Sequence, residues 1–277
     1  MTTSWFSRAA VAALVAAASL LAACGSGSTV QQLSPTRFMA VGDGMVDLGQ
    51  SGGKRFTIND GSMLWTQVLA SQFGLKLEDS SVGGLSYARG NARMVLADPT
   101  GGGAPSVSTQ VDALLAKLNN KFEESDVIII SAGVTDVVAA VNDTGIFAAT
   151  TATVKAASAA LGEQAKRLSE AGARHVVVSG IYNLGLSPWA RAQGDAKANA
   201  IRDLSVAFND AMLLSLADAK WGRTILTINP GLFYNLITNE TRDPLFKNVK
   251  EAICTTPDAT TCTKDTLVKG ADPAQYL

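Results

Sequence analysis

Phe38-Met39-Ala40-Val41-Gly42-Asp43-Gly44-Met45-Val46-Asp47-Leu48-Gly49 is the stretch on which the fold turns. An apolar run enters a glycine-rich turn without a polar break, which reads as a short buried strand and the loop at its carboxyl end. The pattern returns downstream. Asp126-Val127-Ile128-Ile129-Ile130-Ser131 and His175-Val176-Val177-Val178-Ser179 are β-branched runs suited to parallel strands covered on both faces, and Thr224–Ile228 is a further strand.

Between these runs the apolar residues recur at helical spacing. Helices are expected over 63–73, over 107–118 with Ser106 or Ser108 as cap, over 148–171 with Gly172 as stop, and over 195–220. Residues 75–77 read as a short strand, and Gly83 to Ala92 as a turn region without helical period. Strands alternating with long helices imply βαβ crossovers. The expected fold is α/β, with three α/β/α layers around a mostly parallel sheet.

Composition sets bounds on function. The chain has 277 residues, 47% apolar and 17% charged, which suits a folded globular protein. A net charge of −1 without a basic run argues against nucleic acid as a partner. One histidine and no Cys-x-x-Cys pair argue against a metal site, and no cofactor is expected. Gly101-Gly102-Gly103 lacks the following Lys-Ser/Thr of a phosphate loop.

Residues 1–23 read as a lipoprotein signal peptide. Arg8 gives the positive start, and Ala9 to Ala23 is small and apolar except for Ser19, too short to span a bilayer. Leu21-Ala22-Ala23-Cys24-Gly25-Ser26 resembles a bacterial lipobox, so Cys24 is expected to carry lipid and to attach the chain to a membrane of the cell envelope. Residues 24–35 then form a tether, and residues 36–277 one domain. Cys254 and Cys262 remain, bracketing a Thr/Pro/Asp-rich loop, and in an exported protein they are expected to form a disulfide.

In doubly wound folds ligands bind beyond the carboxyl ends of the strands. Gly42-Asp43-Gly44, the Gly83–Ala92 segment and Gly133-Val134-Thr135-Asp136 belong to that edge or lie beside it. In order and spacing these segments, with Asn183-Leu184-Gly185-Leu186-Ser187-Pro188, Phe208-Asn209 and Asn229-Pro230 after them, resemble the GDSL, or SGNH, family of lipases, esterases and acylhydrolases. The likeness is to its exported lecithinase/haemolysin-type and autotransporter-esterase branch.

The resemblance implies a flavodoxin-like fold, a serine nucleophile, a histidine base oriented by an aspartate, and backbone and asparagine donors for the oxyanion. It also shows what this sequence lacks. Gly44 stands at the nucleophile position and Thr135 at that of the asparagine, while Gly90 matches the glycine whose N–H serves the oxyanion. The family's Asp-x-x-His block would follow a segment like Asp272-Pro273-Ala274-Gln275-Tyr276-Leu277, so the domain is expected to be C-terminally short. His175 opens a strand at the edge opposite the site.

The resulting expectation is an esterase-like protein with little or no activity. Two alternatives stand beside it: a working carboxylesterase that attacks through Ser86, or a surface protein that binds an acyl-ester or glycan ligand in the remnant crevice. Asp43 is expected to support the turn, Asp136 to line the cleft or cap the next helix, and Trp65, Trp189 and Trp221 to be core or rim residues.

Overall fold

The computed structural model describes residues 33–50, 52–145, 148–238 and 246–276. The chain divides into two units, Met1–Ser34 and Pro35–Leu277. The expected signal peptide and the lipid-bearing Cys24 lie outside the described residues, as does most of the tether.

Four strands form one parallel sheet in chain order: β1 (Phe38–Gly42), β2 (Val127–Ser131), β3 (His175–Ser179) and β4 (Ile225–Ile228). Their registers pair Phe38 with Val127, Val127 with His175, and Val176 with Ile225. The helices are α1 (Trp65–Gln72), α2 (Val107–Lys117), α3 (Val134–Thr144), α4 (Ala148–Glu170), α5 (Pro188–Arg191), α6 (Asp195–Ser215) and α7 (Pro230–Ile237). This is the expected α/β architecture, with helices flanking an all-parallel sheet. The Ser106 hydroxyl accepts the Thr109 N–H and starts α2.

Alternate residues of the strands build two cores. Met39, Val41, Ile128, Ile130, Val176 and Val178 pack with Val111, Leu114, Leu161, Ile201 and Phe208 from α2, α4 and α6. On the other face Phe38, Ala40, Val127 and Ile129 meet Ala70 of α1 and Leu77. Among the described residues that second face is covered chiefly over β1 and β2, with Val177 of β3 partly buried. At the far edge Leu226 of β4 is 61% exposed, and Leu232 and Phe233 of α7 are 70% and 62% exposed.

Two expectations change. Residues 75–77 form no strand; Gly74, with φ +70, turns the chain after α1, and Leu77 is buried beneath that helix as coil. The Gly83–Ala92 region is more than a turn, since part of it runs alongside β1. The Leu85 carbonyl accepts the Ala40 N–H at 3.2 Å, while Tyr87 and Arg89 donate to the carbonyls of Ala40 and Gly42 at 2.7 and 3.1 Å. Counting this segment, the second sheet-forming stretch of the chain lies outside the first. The order reverses between β1 and β2, and a doubly wound sheet opens its ligand crevice at such a switch point.

Candidate functional site

The turn after β1 sits at that switch point and is held from three directions. Gln110 of α2 clamps Gly42: its Oε1 accepts the Gly42 N–H at 2.8 Å and its Nε2 donates to the Gly42 carbonyl at 3.0 Å. A Cβ at Gly42 would lie 1.9 Å from the Ser131 carbonyl oxygen, so β1 and β2 approach here as only glycine permits.

Asp43 is fully buried, and its carboxylate caps α3 from across the sheet. Its Oδ2 accepts the N–H groups of Gly133 at 3.0 Å, Val134 at 2.9 Å and Thr135 at 3.4 Å, and its Oδ1 accepts that of Met45 at 3.1 Å. These bonds satisfy the orphan donors at the positive end of the helix. Burial nevertheless outweighs them and pushes the Asp43 carboxyl up to about 6.

Gly44 follows, bare. A Cβ there would lie 2.8 Å from Cγ of Phe56, and a Cβ at Gly90 would lie 1.8 Å from Cε2 of the same ring. The phenyl group therefore covers both glycines. The Gly90 N–H is engaged as well, donating to Oδ2 of the buried Asp47 at 2.7 Å. Asp47 Oδ1 accepts the N–H groups of Gly49 and Gln50 at 2.9 and 3.2 Å, so one carboxylate closes its own loop and holds the Gly90 segment. Sequence reasoning passed over Gln110 and Phe56, and it read no role for Asp47 although that residue lies in the opening stretch.

The remaining candidates divide. Thr135 opens onto the cavity described next, together with Asp43 and Gly44. Asp136 neither lines it nor caps α3; it is buried behind the turn and accepts the Met94 N–H at 3.0 Å, with Arg93 Nε at 3.8 Å. Burial first, and then the charge of Asp43, push its carboxyl up to about 7. Ser86 is fully buried in the bridge beside β1, away from the cavity wall. His175 begins β3, whose opposite end faces the site; four residues of strand rise separate the two, roughly 13 Å. Trp221 is buried, Trp189 packs on the core, and Trp65 is a rim residue whose Nε1 donates to the Met45 carbonyl at 3.2 Å.

A cavity of about 420 Å³ opens over Gly44, walled by Met45, Phe56, Val134, Val138 and Tyr182 and set with the polar side chains of Asn91, Thr135 and Asn142. Asp43 and Asp143 also border it, and no lysine or arginine does among the described residues. A second cavity of about 260 Å³ shares Met45 and Tyr182 and continues past Trp65 to Ile228 and Pro230. Tyr182 stacks on Tyr234 with ring centroids 5.0 Å apart, and burial holds its hydroxyl protonated far above the usual tyrosine range. It supplies no base to the Gly44 turn.

The arrangement is equipped to enclose an uncharged, largely apolar group and hydrogen-bond it at a few points. It offers no nucleophile at Gly44. Neither a scan against protein-family models nor a search of curated proteins finds a match to this chain.

Proposed function

We propose that this chain is a GDSL/SGNH-type domain that binds an acyl-ester or acetylated glycan ligand without hydrolysing it. One observation carries the reading. The Phe56 ring occupies the space into which a nucleophilic side chain at position 44 would project. Three further features support it: the engaged Gly90 N–H, Thr135 at the position of the asparagine, and the remoteness of His175. Loss of nucleophile and base together removes about 10⁶ in rate in serine hydrolases, leaving what binding and oxyanion donors provide. The cavity's acidic border, with no lysine or arginine among the described residues, favours a neutral ligand over a fatty-acid anion.

The expected result with p-nitrophenyl acetate and butyrate is hydrolysis at the buffer rate, with no fluorophosphonate adduct on Ser86. Monoacylglycerols or acetylated sugars should raise the melting temperature, by about 2.7 kcal/mol of stability at a hundredfold excess over Kd. Turnover well above buffer that is lost on changing Thr135 or Asp43 overturns the proposal. Lipid attachment at Cys24 would place this binding site on a membrane of the cell envelope. A lipid-modified N-terminal peptide seen by mass spectrometry, absent in Cys24→Ser, tests that part.

A further inference from the structure

We propose that Phe56 is a tethered occupant of the binding position, held there by the Cys254–Cys262 loop, and that reduction of this disulfide opens the cavity to an uncharged apolar ligand. The inference rests on reading the cavity over Gly44 as the binding site.

Phe56 is 36% exposed, so core packing alone does not hold it over the glycines. The strap that carries it, residues 55–59, is closed by Asn59, whose Oδ1 accepts the Arg55 N–H at 2.9 Å. The same residue ties the strap to the disulfide loop. The Asn59 N–H donates to the Cys262 carbonyl at 2.7 Å, and its Nδ2 is 3.2 Å from the carbonyl oxygens of both Thr260 and Cys262.

The receiving side is shaped by the disulfide, which joins Cys254 and Cys262 across 5.7 Å between Cα atoms. Within the loop Asp258 accepts the Thr260 N–H at 2.9 Å, and the Cys262 N–H donates to Ala259 at 3.2 Å. Ala259 itself lines the cavity with Phe56. Lid and loop therefore meet over one space, and of the carbonyls that anchor Asn59 one belongs to a cross-linked cysteine and the other lies two residues before it.

A dithiol reductant cleaves the Sγ–Sγ bond. It delivers two electrons and two protons, leaving two protein thiols, and closes to its own cyclic disulfide. The loop then loses the constraint that sets those carbonyls. Asn59 loses its fixed partners, and the ring leaves the space it shares with the ligand.

The test measures binding of N-phenyl-1-naphthylamine, a neutral apolar fluorophore, to the full chain by fluorescence titration. Phe56→Ala, Asn59→Ala and the dithiothreitol-treated wild type should each bind at least tenfold more tightly than the oxidised wild type. Dithiothreitol should add nothing to Phe56→Ala, and Val138→Trp, which fills the cavity, should remove every gain. Asn59→Asp, which keeps the acceptor that closes the strap but loses the amide donors, repeats the test should Asn59→Ala fail to fold by circular dichroism. If Phe56→Ala binds tightly while reduction and the Asn59 variants change nothing, the tether is wrong and the cavity reading stands. If Phe56→Ala gains nothing, the cavity reading falls as well.

Discussion

At Gly44 the outcome of a substitution is decided by a neighbour twelve residues away. A methyl group there meets Cγ of Phe56 at 2.8 Å, and overpacking of this kind costs about 1–3 kcal/mol. Gly44→Ala should lower the unfolding free energy measured in urea by that amount, and Phe56→Ala in the same chain should restore most of it. The buried carboxyls give a second prediction. Asp43 and Asp136, raised to about 6 and about 7, hold protons in the native state that the unfolded chain releases above about 4. Their contribution is complete below that value and is lost as pH rises through 6 and 7. Unfolding free energy should therefore fall by about 2–4 kcal/mol between pH 5 and pH 8, and Asp136→Asn should flatten the slope. The sequence marked Asp43, Gly44 and Thr135 because they stand at recognisable positions after strands. It gave no sign of Phe56, since an aromatic residue in a glycine-rich loop has no periodicity to read, and its contact with Gly90 exists only in three dimensions.

Among the elements, β1 and β2 were legible because burial on both faces demands continuous apolar runs, and β3 because its run is equally continuous although one face is only half-buried. Helix α3 was not. Its sequence, Val134-Thr135-Asp136-Val137-Val138, is rich in β-branched residues that weaken helix propensity. The decisive cap is the Asp43 carboxylate, from 91 residues upstream of Val134. Helix α6 ends at Ser215 rather than at 220, because Asp218 accepts the Lys220 N–H and closes a turn. The strand-like run of Leu85–Arg89 escaped notice for a similar reason: its partner is β1, and pairing with a distant backbone leaves no local pattern. Helix α2 also serves the turn through one residue. Gln110→Leu should cost about 1–3 kcal/mol in denaturant unfolding, because it leaves the Gly42 N–H without its buried acceptor while the carbonyl keeps the Arg89 N–H. The same change should lower affinity for any ligand of the cavity, since the turn beneath it loosens.

Across the whole molecule the two faces of the sheet are unequal. One is sealed by three long helices, while the other leaves Leu226 exposed on an edge strand, with Leu232 and Phe233 exposed on the helix that follows. Edge strands without charge or proline invite pairing. Leu226→Lys should reduce concentration-dependent association in light scattering while changing stability by less than about 0.5 kcal/mol. The layered architecture followed from the alternation of runs and amphipathic stretches; the uneven covering did not, because it depends on where a short helix comes to rest. The Gly44 turn also limits which side chains its own neighbours tolerate. The Gly90 N–H is committed to Asp47 and the space above Gly44 to Phe56. A side chain introduced at position 44 would thus meet the ring before it met any ligand. Selection would meet a loss of stability at that first step, and a change at residue 56 would have to come before it or with it. The pair behaves as a ratchet: residue 44 can gain a side chain only after residue 56 has given way.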